Sequence, residues 1–304
     1  MNRKILILMA GTLVLLCILF PNQVSEGAKL GLTLWFDTVL PALLPFMILS
    51  GFMIRQNITG SISRLVYPFF HKIFGVTREG CYPAVIGMLS GYPVGAKTAA
   101  QLYIQRRISK EEAQYLLSFC NNASPMFLLE YIGVQCLKMQ HPLLILITVY
   151  ASAFINALWY RKGRKFPEQK KAYQKQENEN FIISLDAGIL DAFITITKIG
   201  GYIILFSIFA KMIEDILQFS VIIKYIGTGI LEITTGGAII AKWDVALPVK
   251  RFILICLCAF GGCSSIAQTA SVLSQTDLSV GTYVRQKVSQ TIIIALLSLF
   301  VIRL

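Results

Sequence analysis

The residues with the most chemical potential are Ser90-Gly91-Tyr92-Pro93-Val94-Gly95-Ala96-Lys97-Thr98. Their order approaches the phosphate-binding loop G-x-x-x-x-G-K-[ST], with Gly91, Lys97 and Thr98 on the pattern and Ala96 where the second Gly belongs. A nucleotide loop also needs a preceding strand, a following helix and a second acidic motif. Only residues 182–186, "IISLD", offer a weak version of the last. Pro93 inside the loop and Ala96 at a glycine position both oppose phosphate cradling. The same small residues suit a different task, which is to break a helix and bring its backbone close to a solute.

Composition says where such a break would sit. The chain has 304 residues, 55% of them hydrophobic and 14% charged. A soluble domain carries about 25% charged residues. Apolar runs of membrane length recur at residues 5–20, 32–54, 142–160, 199–217, 252–273 and 288–302. The expected fold class is an all-α polytopic membrane protein, since continuous apolar runs exclude an alternating β-barrel. Residues 5–20 read as a retained first helix rather than a signal peptide, because no clean cleavage site follows. Residues 21–31 then form an outer loop.

The net charge of +12 does not indicate nucleic acid. Seven Lys and Arg crowd into residues 161–175 and read as a cytoplasmic linker, with the lipid bilayer as the partner. The seven cysteines form no C-x-x-C pair, and with His71 and His141 the only histidines, no metal site or cofactor motif is expected. G-x-S-x-G and H-E-x-x-H are absent, which argues against an enzyme.

The basic loops also constrain topology. Residues 55–80 read as an amphipathic interfacial segment anchored by Tyr67, Phe69, Phe70 and Phe74. Ser109 and Glu112 form a capping box that opens a helix over residues 110–135, interrupted at Asn121-Asn122-Ala123-Ser124-Pro125. The basic loops all fall inside only if residues 81–104 enter and leave on one face, as a re-entrant hairpin. Such backbone survives at membrane depth only when buried in protein or facing a water-filled cavity.

A shift of 142 residues lays Gly87–Ala96 on Gly229–Ala238 and Ser118–Ser124 on Phe260–Ile266. The polar interruptions coincide at one offset. The expected organisation is a single membrane domain: repeat 1 at 32–138, a linking helix at 139–160, a basic linker at 161–180, repeat 2 at 181–287 and a last helix at 288–304. Repeat 2 holds a hairpin near 221–243 and a broken helix near 252–273. One extra spanning helix between the copies makes them inverted-topology repeats, the plan of many secondary transporters.

Helix breaks expose N–H groups at the start of the second half and carbonyls at the end of the first. The expected solute-binding set is Ser90, Gly91, Tyr92, Asn121, Asn122, Ser124, Thr234, Thr235, Gly236, Ser264, Ser265 and Gln268, with Lys97 either a countercharge for an anion or snorkelling to the surface. Glu130 and Glu232 are the candidates for carrying a coupling proton, pairing with Lys97, or capping a break. Asp37, Asp191 and Lys198 read as interfacial, and Gly51, Gly200 and Gly201 as packing residues. The set suits a small anionic or planar polar solute. A homo-oligomer stays open.

"SGYPVGAKTAAQL", "RRISKEEAQYLLSFCNNASPMFL", "IGGYIILFSIF" and "FGGCSSIAQTASVLSQTDL" together resemble the sporulation integral membrane protein YlbJ family, over most of residues 32–301. That family belongs to the nucleoside-recognition, or Gate, group and is similar to concentrative nucleoside transporters. The resemblance implies re-entrant hairpins and discontinuous helices. It also implies dipicolinate as the solute, a planar dianion carried into the developing spore across the outer forespore membrane. A nucleoside-type ion-coupled carrier and a non-transporting spore-envelope scaffold are the alternatives.

Overall fold

The computed structural model describes residues 11, 14, 15, 17–56, 58–168, 180–215 and 221–301. Most of the predicted first helix, much of the basic linker, residues 216–217 of the fourth apolar run and the last residues of the final helix lie outside these. The described residues are mostly helical, with no strand among them. Among the described residues, four helices are long and apolar enough to cross a membrane: Pro21–Arg55, Leu143–Arg161, Phe181–Asp215 and Leu247–Leu273.

The first, α1 (Pro21–Arg55), absorbs residues expected to form an outer loop. Its polar start is helical because it lies along α8 (Phe181–Asp215) in antiparallel contact. Gly27 meets Ile208, Gly31 meets Ser207 and Ile204, and Gly51 meets Gly188. A π turn at Trp35–Val39 interrupts α1, and the Trp35 indole donates to the Ile196 carbonyl at 3.1 Å. Gly200 is a packing residue as expected, since a Cβ there would strike the Trp35 ring; Gly201 has open space instead.

Helix α2 (Thr59–Phe74) corrects the anchoring role of two of its aromatic residues. Phe70 and Phe74 are buried, and Phe74 stacks on Phe119 at 5.0 Å. Only Phe69 among the proposed anchors is fully exposed, beside Leu65. The helix has a core face because the aromatic residues recur at helical spacing against α7 (Leu143–Arg161).

Next come α3 (Cys81–Ser90) and α4 (Val94–Ile104), a helical hairpin whose tip is Gly91-Tyr92-Pro93, with a cis bond before Pro93. Helix α5 (Lys110–Leu116) starts on a Ser109 cap, whose hydroxyl accepts from Glu112 N at 3.1 Å. Only half of the expected capping box forms. The buried Glu112 carboxylate accepts instead from the Thr77 amide at 2.6 Å and the Thr77 hydroxyl at 2.9 Å, tying the preceding loop to α5. After an irregular stretch the chain resumes as α6 (Phe127–Cys136), a wide π helix.

The same order recurs after α8. A second hairpin pairs α9 (Val221–Leu231) with α10 (Ile233–Ala241), turning at Glu232. An interrupted helix follows as α11 (Leu247–Phe260) and α12 (Gly262–Leu273), broken by positive φ at Gly261 and Gly262. Helix α13 (Val280–Val301) closes the chain. It begins well before the apolar run that signalled it, because its polar first half packs inward, with Tyr283, Gln286, Lys287 and Gln290 buried.

Candidate functional site

Tight backbone approach builds the site. A Cβ on Gly87 or on Gly95 would overlap the Cys120 carbonyl oxygen, so the two arms of the first hairpin clasp the break of the first interrupted helix. Gly91, at φ 82°, lies against the Ser124 amide. The Tyr92 amide then donates to the Asn122 carbonyl at 2.7 Å. Ser124 and Pro125 start the second half of the helix, where the Ser124 hydroxyl accepts from Phe127 N at 3.2 Å and Pro125 lacks the N–H that would have been orphaned. Tyr150 of α7 donates its hydroxyl to the Met88 carbonyl, with the Ala123 carbonyl sharing the same proton at 3.3 Å, binding hairpin to break from outside.

The second hairpin meets the same centre. Glu232 is the N-cap of α10, and its buried carboxylate accepts from the Thr235 amide at 2.6 Å. The capping role open to it is formed. The Tyr131 hydroxyl of α6 donates to the Thr234 carbonyl.

Between these elements lies a central cavity. Tyr92, Ser124, Glu232, Thr234, Ser265 and Gln268 supply its polar wall, so both hairpin tips and both breaks reach it. The π turn of α1 contributes Thr38 and Val39, and α8 contributes Ile199 and Ile203. The Tyr92 hydroxyl is buried without a protein partner. Glu232 is the single charged residue of this lining.

Other predicted site residues are used differently. Asn121 donates to Thr269 Oγ1 at 3.0 Å and to the Tyr283 hydroxyl at 2.8 Å, while its carbonyl side-chain oxygen accepts from Ala96 N at 3.3 Å. Asn122 donates to the Phe119 carbonyl at 2.7 Å. Both amides are spent on the protein, because a break must satisfy its own backbone before it can serve a ligand. Thr235 shares a hydrogen bond of 2.6 Å with Ser207, Ser264 accepts from Gln268 at 3.1 Å, and Gly236 packs against Gly229 across the hairpin. Ser90 is buried with its hydroxyl unpaired and does not line the cavity. Glu130 is exposed, with Gln135 as its partner at 3.4 Å, so its buried appearance in the sequence is corrected. Thr98 turns its hydroxyl back to the Val94 carbonyl at 2.9 Å, and the element before the tip is a helix, which removes the phosphate-loop geometry.

Lys97 does not stand free. Its ammonium pairs with Asp191 at 2.7 Å and donates to Thr195 at 2.7 Å, both on α8. Asp191 is thus a partner of the first hairpin. The pair lines a second cavity with Lys198 and Gln275, and Gln268 is shared by both cavities. At one end of the bundle, outside the helices, Asp277 accepts from Lys110 at 2.6 Å and Tyr103 at 2.8 Å. The Lys110 hydrogen bond, then that of Tyr103, holds its carboxyl below the usual aspartate range.

Sequence reading missed the buried cluster of α13. Lys287 is 1% exposed and donates to the Asn121 carbonyl, Asn122 Oδ1 and Gln290 Oε1 at 3.3, 3.1 and 2.9 Å. The spacing Tyr283, Gln286, Lys287, Gln290 does mark one polar helix face, but only an apolar neighbour on the other side would reveal that it points inward.

Comparison with known proteins follows the same lines. A family model described as Gate, nucleoside recognition, matches residues 36–158. The sporulation integral membrane protein YlbJ of Bacillus subtilis (strain 168) is 30% identical over 295 residues, covering 85% of this chain and 72% of that protein. Among solved structures, CNTnw in an inward-facing substrate-bound state matches with a TM-score of 0.56 at 16% identity, covering 98% of this chain and 84% of that one. A doubly substituted CNTnw in an outward-facing state gives 0.60 at 18% identity, with the same coverage. Identities this low speak for the fold alone.

Proposed function

Because this chain belongs to the family of the sporulation integral membrane protein YlbJ, we propose that it carries a small, planar, polar solute across a membrane by alternating access. The observation that carries the reading is the central cavity, where both hairpin tips and both helix breaks converge. We read the two hairpin-plus-broken-helix units as inverted repeats, with α1 and α8 as the frame against which they move. The site residues are Tyr92, Ser124, Glu232, Thr234, Ser265 and Gln268, with Gly91 setting the approach of the first tip.

The lining of this cavity favours a nucleoside-like solute over a free dicarboxylate. It holds no Lys or Arg to meet an anion, and the Glu232 carboxyl can accept a hydrogen bond from a ribose hydroxyl or a base amine. Tyr92 supplies an aromatic face and an unpaired hydroxyl. A scaffold needs no such cavity. A second reading, dipicolinate in the outer forespore membrane, draws on the adjoining cavity, where Lys97 and Lys198 supply positive charge and Gln268 joins the two spaces.

Thermal stabilisation of the purified protein by candidate solutes separates these. Binding at 100 times Kd adds about 2.7 kcal/mol to stability. Stabilisation by uridine or adenosine supports the leading reading, and by dipicolinate alone the second. No shift with either class at millimolar concentration would remove both.

A further inference from the structure

The break in the first interrupted helix strands a series of carbonyls, and the rest of the fold answers them one by one. The Ser118 carbonyl accepts from Asn156 Nδ2 at 3.0 Å, Phe119 from Asn122 Nδ2 at 2.7 Å, Asn122 from the Tyr92 amide at 2.7 Å and Ala123 from the Tyr150 hydroxyl at 3.3 Å. Asn121 alone receives a full charge, the ammonium of Lys287.

That ammonium is held only by uncharged oxygens. Asn122 spends its Nδ2 on Phe119, and Gln290 spends its Nε2 on Asn122 Oδ1 at 2.9 Å and Ser152 Oγ at 3.3 Å. Both amide oxygens are therefore left to face Nζ, beside the Asn121 carbonyl. Among the described residues no ion pair includes Lys287. The titratable side chains acting on it are the thiols of Cys120 and Cys258, not carboxylates. A buried charge without a counter-ion is costly unless its surroundings solvate it. Carbonyl and amide oxygens at the end of a half-helix do so, because they carry partial negative charge. Such a donor set is also the one a desolvated monovalent cation would accept.

We propose that Lys287 is a built-in monovalent cation, whose ammonium fills an oxygen-lined site at the first helix break so that no free alkali cation is needed there. Its position gives the charge a task. Asn122 is hydrogen bonded to Lys287 through its side chain and to Tyr92 through its backbone, so the ammonium holds the residue that holds the cavity wall. The functional consequence rests on the transport reading, since it makes solute binding independent of sodium at this place. The site itself does not, because it can be tested with no solute present.

The test is the melting temperature of the purified protein in chloride salts of sodium, potassium or N-methyl-D-glucamine at equal ionic strength. The natural protein should melt at the same temperature in all three. Lys287→Ala removes the ammonium and leaves its space, so its melting temperature should fall. Sodium or potassium should then restore about 3 °C at ten times Kd, and the bulky organic cation nothing. Lys287→Met fills the same space and should fall without any response to cation identity. If Lys287→Ala does not survive purification in the organic salt, its yield after extraction in sodium against that salt reads the same linkage. Indifference of Lys287→Ala to cation identity would reduce Lys287 to a structural staple and overturn the proposal, as would a natural protein that itself requires sodium. These outcomes are distinct from a failure to bind uridine, adenosine or dipicolinate, which bears on the transport reading alone.

Discussion

Replacing Tyr92 by Phe should move stability and solute affinity in opposite directions. The hydroxyl is buried at the central cavity and has no protein partner, while the ring forms part of the wall. A buried polar group left unpaired costs about 1–3 kcal/mol. Removing it from the solute-free protein should therefore raise the melting temperature by about 2–6 °C, at roughly 2 °C per kcal/mol for a chain of this size. If the hydroxyl exists to meet the solute, Phe forfeits one hydrogen bond, worth about 0.5–1.5 kcal/mol net, and weakens binding about 2- to 13-fold. Tyr131→Phe is the control, because its hydroxyl already serves the Thr234 carbonyl and its loss should lower stability. Calorimetry gives the first quantity and titration with uridine the second. A fall in melting temperature for Tyr92→Phe, or an affinity equal to that of the natural protein, would refute the argument that this group is kept for a ligand.

Gly87→Ala and Gly95→Ala should each cost about 3 kcal/mol or prevent folding, since the added methyl meets backbone at Cys120 on a clasp with no side chain able to yield. Gly60→Ala, with open space around it, should be neutral or stabilising by up to about 1 kcal/mol, and denaturation midpoints compare the three. Glu232→Ala removes the α10 cap and should cost about 1 kcal/mol, while Glu232→Gln keeps a capping oxygen and should raise the affinity for a dicarboxylate relative to uridine in competition binding. At the bundle end, a folded Asp277 titrating below 3.8 favours the folded contact above that value and loses this contribution as pH falls through its own titration. Carbon-13 NMR of labelled aspartate should find this one resonance still ionised where exposed aspartates have begun to protonate, and in Lys110→Ala it should rejoin them.

Much of the architecture was legible because the membrane amplifies a few signals. Gly91 and Pro93 mark the first tip, Asn121 to Pro125 the first break, and Gly261-Gly262 the second, since each is a polar or conformationally unusual interruption in an apolar run. The cavity wall was legible only in part. A polar residue at a break is as readily consumed by stranded backbone as offered to a solute, and Asn121 and Asn122 took the first course while Ser124 and Ser265 reach the cavity. Position along the chain does not decide between these, because the deciding partners, Thr269, Tyr283 and Phe119, come mostly from elsewhere. Pro21–Gly31 looked like a loop by polarity and is helical because glycines fit it against α8. Lys287 was hidden by the same rule in reverse. A charge just before an apolar run reads as a solvated end, until the neighbouring break supplies oxygens to bury it.

The most direct trial of the account is uptake of labelled uridine into proteoliposomes holding the purified protein, with dipicolinate as competitor and Gly87→Ala as the damaged control. The account predicts saturable uptake, weakened by Tyr92→Phe in step with its binding loss and little affected by dipicolinate. Saturable uptake of dipicolinate that uridine does not inhibit would contradict the assignment of the Glu232-lined cavity to a nucleoside-like solute. Absence of uptake for both, from protein of natural stability, would contradict the transport reading itself.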